Sequence, residues 1–132
     1  MISAELAQAV ESTRYPLDAF VFVQRGLDFT VKREHGELPD DYDFEDDDQP
    51  SRHVSGRLLC EGLRDFALDQ YGLLAGTVLR RWHVTRCEDF GQIVFAMVDA
   101  GMMHKTEEDS LEDFKDLFSF REAFSADALA LN

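Results

Sequence analysis

The chain has 132 residues, 45% of them hydrophobic, and a formal net charge of −14. This length fits a single domain, and the excess of carboxylates argues against a general affinity for nucleic acid or for an anionic membrane. No stretch approaches the roughly 18–20 apolar residues that cross a bilayer, and the N-terminus lacks the order of a secretory signal. Two cysteines, Cys60 and Cys87, are too few for a disulfide framework, so we expect a cytoplasmic protein.

The first part of the chain predicts two helices and an acidic loop. Ser3 can cap a first helix, which the proline of "RYP" ends, and Pro16 then suits the first turn of a second helix. The second helix ends near Gly36 and carries one apolar stripe: Phe20, Val23, Leu27 and Val31. Residues 37–48, "ELPDDYDFEDDD", hold eight carboxylates and no base. We therefore predict a mobile acidic loop at about 37–50 within one domain spanning 1–132.

The remaining chain predicts further helices and leaves one segment with two alternatives. Ser55 begins a helix that Gly72 stops, and a shorter helix follows, lined by Leu74, Val78, Leu79 and Trp82. Thr85 and Glu88 form a capping box for a helix that ends at Gly101, and Ser119 and Glu122 form another for a final helix. Residues 102–120 fit either a β-hairpin, which would make the second half winged-helix-like, or short helices. The fold class is therefore mainly α, a compact multi-helix domain.

Charge is segregated along the chain. The formal net charges of residues 1–36, 37–48, 49–86 and 87–132 are −1, −8, +3 and −8. The one basic segment contains six arginines: Arg52, Arg57, Arg64, Arg80, Arg81 and Arg86. An otherwise anionic protein thus carries one locally cationic block.

The strongest candidate contact site lies in "LRRWHVTR", residues 79–86. Arginines can contact phosphates, and an exposed indole can stack on a base. The residues that we predict to contact phosphate or an acidic partner are Arg52, Arg57, Arg80, Arg81, Trp82 and Arg86. The alternative is that Trp82 continues the apolar stripe of its helix into the core and that the arginines are solvated or paired with the abundant acids.

The acidic loop does not match a calcium site. A calcium loop that starts at Asp41 would have Asp46 at its sixth position, where glycine is needed, and Arg52 at its twelfth, where glutamate is needed. The loop is either a solvated segment or a docking site for a basic partner, in which case the contacts are Asp40, Asp41, Asp43, Glu45, Asp46, Asp47 and Asp48. The histidines and cysteines show no convincing zinc spacing.

The sequence predicts no catalytic residue, no metal and no cofactor. It lacks a glycine-rich phosphate loop, a nucleophile elbow and a dinucleotide fingerprint. Conventional major-groove reading of DNA is also disfavoured, because residues 87–100 would expose Glu88, Asp89, Gln92 and Asp99. A hydrolase that uses a carboxylate or metal site stays an alternative.

Several motifs together resemble a known family: "YPLDAFVFVQRGLDFT", "RHVSG", "GLRDFALDQYG", "EDFGQIVFAMVDAGMM" and "KTEEDSLEDF". Over residues 15–124 the chain resembles the signature protein family of the Planctomycetes–Verrucomicrobia–Chlamydiae bacterial group. One departure is Leu58, where an acidic residue would complete a cap with Ser55. The resemblance implies a housekeeping role with a link to translation or nucleic acids, and it supplies no catalytic motif.

These observations favour a non-enzymatic cytoplasmic interaction protein that works with translation or another nucleic-acid machine through its arginines. The alternative is an acidic adaptor that grips a basic protein through residues 37–48 and 107–116. The partner is a protein or RNA and not a membrane, and the sequence does not indicate an oligomeric state.

Overall fold

The computed structural model describes residues 3–43, 45–46, 52–103 and 110–125, and the predicted mainly α fold is confirmed. Two short 3₁₀ helices, Gly72–Leu74 and Leu111–Phe114, accompany six α-helices. The α-helices are α1 (Ala4–Glu11), α2 (Leu17–His35), α3 (Gly56–Tyr71), α4 (Ala75–Arg81), α5 (Cys87–Asp99) and α6 (Phe120–Ala123). None of the helices in these ranges combines the length and the apolar character that a bilayer crossing requires.

The helix boundaries follow local chemistry. The Ser3 and Ser55 hydroxyls each accept a backbone N–H, from Leu6 and Leu58 respectively, at 3.1 Å. Gly36 and Gly72 follow α2 and α3 with positive φ, a conformation that glycine adopts without strain. These predicted starts and stops are confirmed.

Helices α2 and α3 cross closely because glycines face the neighbouring helix at two points. A Cβ atom at Gly62 would overlap the Thr30 side chain, and one at Gly26 would overlap Leu63. Thr30 is fully buried, and its hydroxyl donates to the Gly26 carbonyl at 2.7 Å. The polar group at this crossing is therefore satisfied within its own helix.

Helix α5 packs into the middle of the core. Phe90, Ile93 and Met97 are fully buried along one of its faces, together with Phe20 of α2 and Leu63 of α3. The Leu111–Phe114 segment closes one side, because the Phe114 ring lies against Gly91 of α5 and Gly56 of α3. Residues 82–86 join the C-terminal end of α4 to the N-terminal end of α5.

Three sequence predictions about burial and secondary structure need correction. Leu74 was placed on the apolar stripe of α4, but it lies in the preceding 3₁₀ turn with 63% of its surface exposed. The hairpin alternative is not found at 102–103 and 110–120, where the chain forms the second 3₁₀ helix and bends; residues 104–109 lie outside the described ranges. Asp89 was placed on the surface, and it is fully buried.

The cap of α5 explains why Asp89 is buried. The Asp89 carboxylate accepts the backbone N–H groups of Thr85 at 2.8 Å and Arg86 at 3.2 Å. The capping carboxylate therefore belongs to Asp89 and not to the predicted Glu88, and the helix begins at Cys87. A carboxylate in this position is favoured by the positive end of the helix.

Candidate functional site

A tight turn between α4 and α5 positions three arginines. Val84 N–H bonds to the Leu79 carbonyl at 2.9 Å and His83 N–H to the Arg80 carbonyl at 3.0 Å, the pattern that closes a helix with a left-handed residue. His83 occupies that left-handed position with a φ of 65°. We call Arg80, Arg81 and Arg86, with the connecting residues 82–85, the arginine turn.

The arginine side chains of this turn are exposed and have no acidic partner in the described part of the chain. Arg80, Arg81 and Arg86 lie on the surface, and none of them forms an ion pair with a described carboxylate. Within the described residues, no carboxylate therefore competes with a ligand for these three charges.

Two arginines outside the arginine turn are paired with an acid. Arg33 and Arg64 both bond to Asp65, at 2.7 Å and 3.0 Å. Burial opposes ionisation of Asp65, but the hydrogen bonds from Arg64 and Arg33 outweigh it and hold the pKa of this carboxyl below its usual value. These ion pairs lie outside the arginine turn, and they do not test the alternative that the arginines of the turn are solvated.

A surface cleft of about 450 Å³ adjoins the arginine turn and adds a residue that sequence reasoning missed. Arg80, Thr85 and Arg121 line it together with the rings of Phe120 and Phe124. The capping pattern at Ser119 placed Arg121 in a helix, but no local signal shows that α6 lies against α4 and α5. A guanidinium beside aromatic rings can bind an anion that carries a flat group.

Trp82 is half-buried and serves mainly as packing. Its ring lies 5.6 Å from that of Phe22 and 6.1 Å from that of Tyr71, measured between centroids. These ring contacts account for the partial burial of the indole.

Arg52 lies at the opposite end of α5 from the arginine turn. Arg52 lines a cavity with Val98, near the C-terminus of α5, whereas Arg86 precedes its N-terminus. A helix of the length of α5 spans roughly 18 Å, so Arg52 and Arg86 do not form one contact surface. Arg57 is exposed beside Glu61, with 4.0 Å between the Nε and the carboxylate oxygen.

The described acids of the predicted basic-partner loop are all exposed: Asp40, Asp41, Asp43, Glu45 and Asp46. Asp43 organises a turn, because its carboxylate accepts the Glu45 N–H at 2.9 Å. Asp47 and Asp48 lie outside the described residues. No group of three or more histidine, cysteine, aspartate or glutamate residues that could hold a metal occurs within the described ranges.

Beside the arginine turn lies a buried polar network centred on Asp89. Its carboxylate accepts hydrogen bonds from the Tyr15 hydroxyl and, at 2.9 Å, from Arg14. The Tyr15 hydroxyl also lies 3.0 Å from Gln92 Oε1. Burial and the hydrogen bond to Asp89 raise the pKa of the Tyr15 phenol above its usual value. Arg14 neutralises Asp89, so this acid does not oppose an anionic ligand at the arginine turn.

Both cysteines are buried, and their thiols interact. This interaction raises the pKa of Cys60 and lowers that of Cys87 to about 7. Cys87 also lies within 3.4 Å of the Phe118 carbonyl. Since both side chains are covered, the pair has no route to a bulky substrate.

Comparisons with protein-family models, with curated proteins and with solved structures found no match. The candidate surface is therefore interpreted from its own chemistry.

Proposed function

We propose that the protein is a non-enzymatic interaction protein that contacts the phosphate backbone of RNA through the arginine turn. The observation that supports this proposal is the exposure of Arg80, Arg81 and Arg86 without a carboxylate partner among the described residues. Arginine guanidinium groups match the geometry of phosphate oxygens. The resemblance to a family linked to translation or nucleic acids agrees with this choice of partner.

The net charge of −14 limits how the contact can work. Repulsion between the acidic surface and phosphate is screened over about 8 Å at physiological ionic strength, so a local group of arginines can bind although the whole protein is anionic. The acids elsewhere would restrict binding to one orientation. We therefore expect a modest affinity that decreases steeply with salt.

The burial of Asp89 strengthens the proposal. An exposed Asp89 would have placed a negative charge directly beside Arg86. Instead the carboxylate faces the interior and pairs with Arg14 at 2.9 Å, so the surface at the start of α5 is less acidic than the sequence indicates.

A titration of a fluorescent single-stranded RNA, followed by anisotropy, tests the proposal. The variant Arg80→Ala/Arg81→Ala/Arg86→Ala should bind at least about tenfold more weakly than the wild type. A matched control, Arg25→Ala/Lys32→Ala/Arg57→Ala, removes the same charge from exposed sites outside the turn. The control should retain affinity within about threefold. Equal binding by the wild type and the arginine-turn variant would refute the assigned surface.

A second candidate is an acidic adaptor for a basic protein. It is favoured by the exposure of all five described acids between Asp40 and Asp46. Deletion of residues 38–48 should then abolish co-purification of the basic partner, whereas the arginine-turn variant should leave it intact. Undiminished recovery after the deletion would exclude this candidate.

A further inference from the structure

A cavity of about 260 Å³ lies between α2, α3, α5 and the Leu111–Phe114 segment, away from the arginine turn. Most of its wall is apolar, formed by side chains such as Leu27, Val31, Leu59, Val94 and Phe114. Leu27 and Val31 belong to the predicted apolar stripe of α2, yet they are only half-buried because they border this space.

The wall of the cavity at Phe114 is tightly packed. The Phe114 ring is held between Gly56 and Gly91, where even an added Cβ would lie within 3 Å of the ring. The opposite walls carry the short side chains of Val31, Val94 and Val98. The space opens to the surface and its described lining is mostly apolar, as is usual for the pockets in which proteins bind small ligands.

The volume of the cavity limits the size of the ligand. A dry apolar cavity of about 150 Å³ holds benzene, so by proportion this one holds a chain of about ten carbon atoms. Among the described lining residues, the polar side chains are those of Arg52, His53 and Asp113, and the other side chains are apolar. The ligand should therefore be an aliphatic chain with one polar end.

The charged residues beside the cavity determine which polar group the ligand carries. Arg52 donates to the Gly36 carbonyl at 2.6 Å and lies over the Tyr42 ring at 5.9 Å, and no described carboxylate pairs with it. A guanidinium has five donors, so most remain for a ligand. Asp113 is already engaged, since it accepts the Ser110 N–H at 3.0 Å and begins the 3₁₀ helix. Asp113 keeps its negative charge, so the group in this lining that can pair with an anion is Arg52.

We propose that this cavity binds a medium-chain carboxylic acid. The aliphatic chain lies against Val31, Val94 and Val98, and the carboxylate pairs with Arg52. This assigns Arg52 to a small-molecule site that is separate from the arginine turn, and it does not depend on the RNA proposal.

Calorimetric titration of the full-length protein with decanoate, decanol and decyltrimethylammonium tests the proposal. Decanoate should bind saturably at one site per chain. Arg52→Gln should weaken decanoate about tenfold and change decanol less than about twofold. Arg57→Gln is the matched control, because it removes an exposed arginine nearby that does not line the cavity, and it should leave decanoate binding unchanged.

A second variant tests the location of the chain. Val98→Trp should fill the cavity and abolish decanoate binding. If this variant fails to fold, methyl NMR of the wild type decides the question, since decanoate should shift the Val31, Val94 and Val98 signals and leave Val10 of α1 unchanged. Absence of saturable binding, equal binding of the ammonium compound, or shifts outside the cavity would each overturn the proposal.

Discussion

Replacing Asp89 by asparagine should destabilise the fold more than any surface change on the same helix. One Asp89 oxygen accepts from Arg14 at 2.9 Å and from the Tyr15 hydroxyl, and the other accepts from the Thr85 and Arg86 N–H groups at 2.8 Å and 3.2 Å. Asparagine keeps one acceptor oxygen and turns the other position into a donor. Two of these four hydrogen bonds are therefore lost in either orientation of the amide.

The expected loss of stability in Asp89→Asn follows from the hydrogen bonds that Asp89 accepts. A hydrogen bond to a charged group contributes about 1.5–3 kcal/mol, so two of them contribute about 3–6 kcal/mol. The lower end applies, because 57% of the Arg14 side chain is exposed and Arg14 can turn to water when its acceptor is lost. We expect a loss of about 3 kcal/mol from a total stability of about 5–15 kcal/mol.

Urea denaturation followed by circular dichroism measures this loss. Asp99→Asn is the control, because Asp99 is exposed at the other end of α5, where a negative charge is slightly unfavourable. It should change the free energy of unfolding by less than about 0.5 kcal/mol. A loss below about 1 kcal/mol for Asp89→Asn would refute the inference that the buried carboxylate holds the α1–α2 turn to α5.

Three further changes test the fold. Since the folded pKa of Tyr15 is raised above its unfolded value of about 10, its stabilisation is complete below about pH 10 and is lost above it. Chemical denaturation from pH 8 upward should therefore show a shallower alkaline loss for Tyr15→Phe than for the wild type, and parallel curves would contradict this. His83→Gly should raise the free energy of unfolding by about 0.5–1 kcal/mol, because glycine adopts the positive φ without strain. Gly62→Ala should lower the thermal midpoint, with a loss of about 2–3 kcal/mol from overlap with Thr30, and an unchanged midpoint would contradict the close crossing.

The helices could be predicted because their ends depend on neighbouring residues. Ser3 and Ser55 cap within three residues, and Gly72 and Gly101 end helices through their own backbone conformation. Such local chemistry is visible in the sequence without knowledge of the tertiary structure.

The features that the sequence did not predict depend on distant partners. Asp89 is buried because Arg14 and Tyr15 bind it from 75 and 74 residues away. Arg121 reaches the cleft beside Arg80 only because α6 packs near α4. His83 adopts a conformation in which glycine is usual, so the sequence pattern that marks such a turn was missing.

One part of the candidate site could be predicted from neighbouring residues, whereas another part depends on the tertiary structure. Arg80, Arg81 and Arg86 are all exposed and lie within seven consecutive residues, so this group could be identified from the sequence. The separation of Arg52 from them depends on the direction of α5, which no local pattern reveals.

The salt dependence of RNA binding tests the central claim most directly. For single-stranded RNA, each phosphate neutralised contributes about −0.7 to the slope of log K against log salt, so three arginines contribute about −2. The wild type should show this slope, and the Arg80→Ala/Arg81→Ala/Arg86→Ala variant should lose about two units of it. The same slope in both proteins would show that the phosphates are bound elsewhere or not at all.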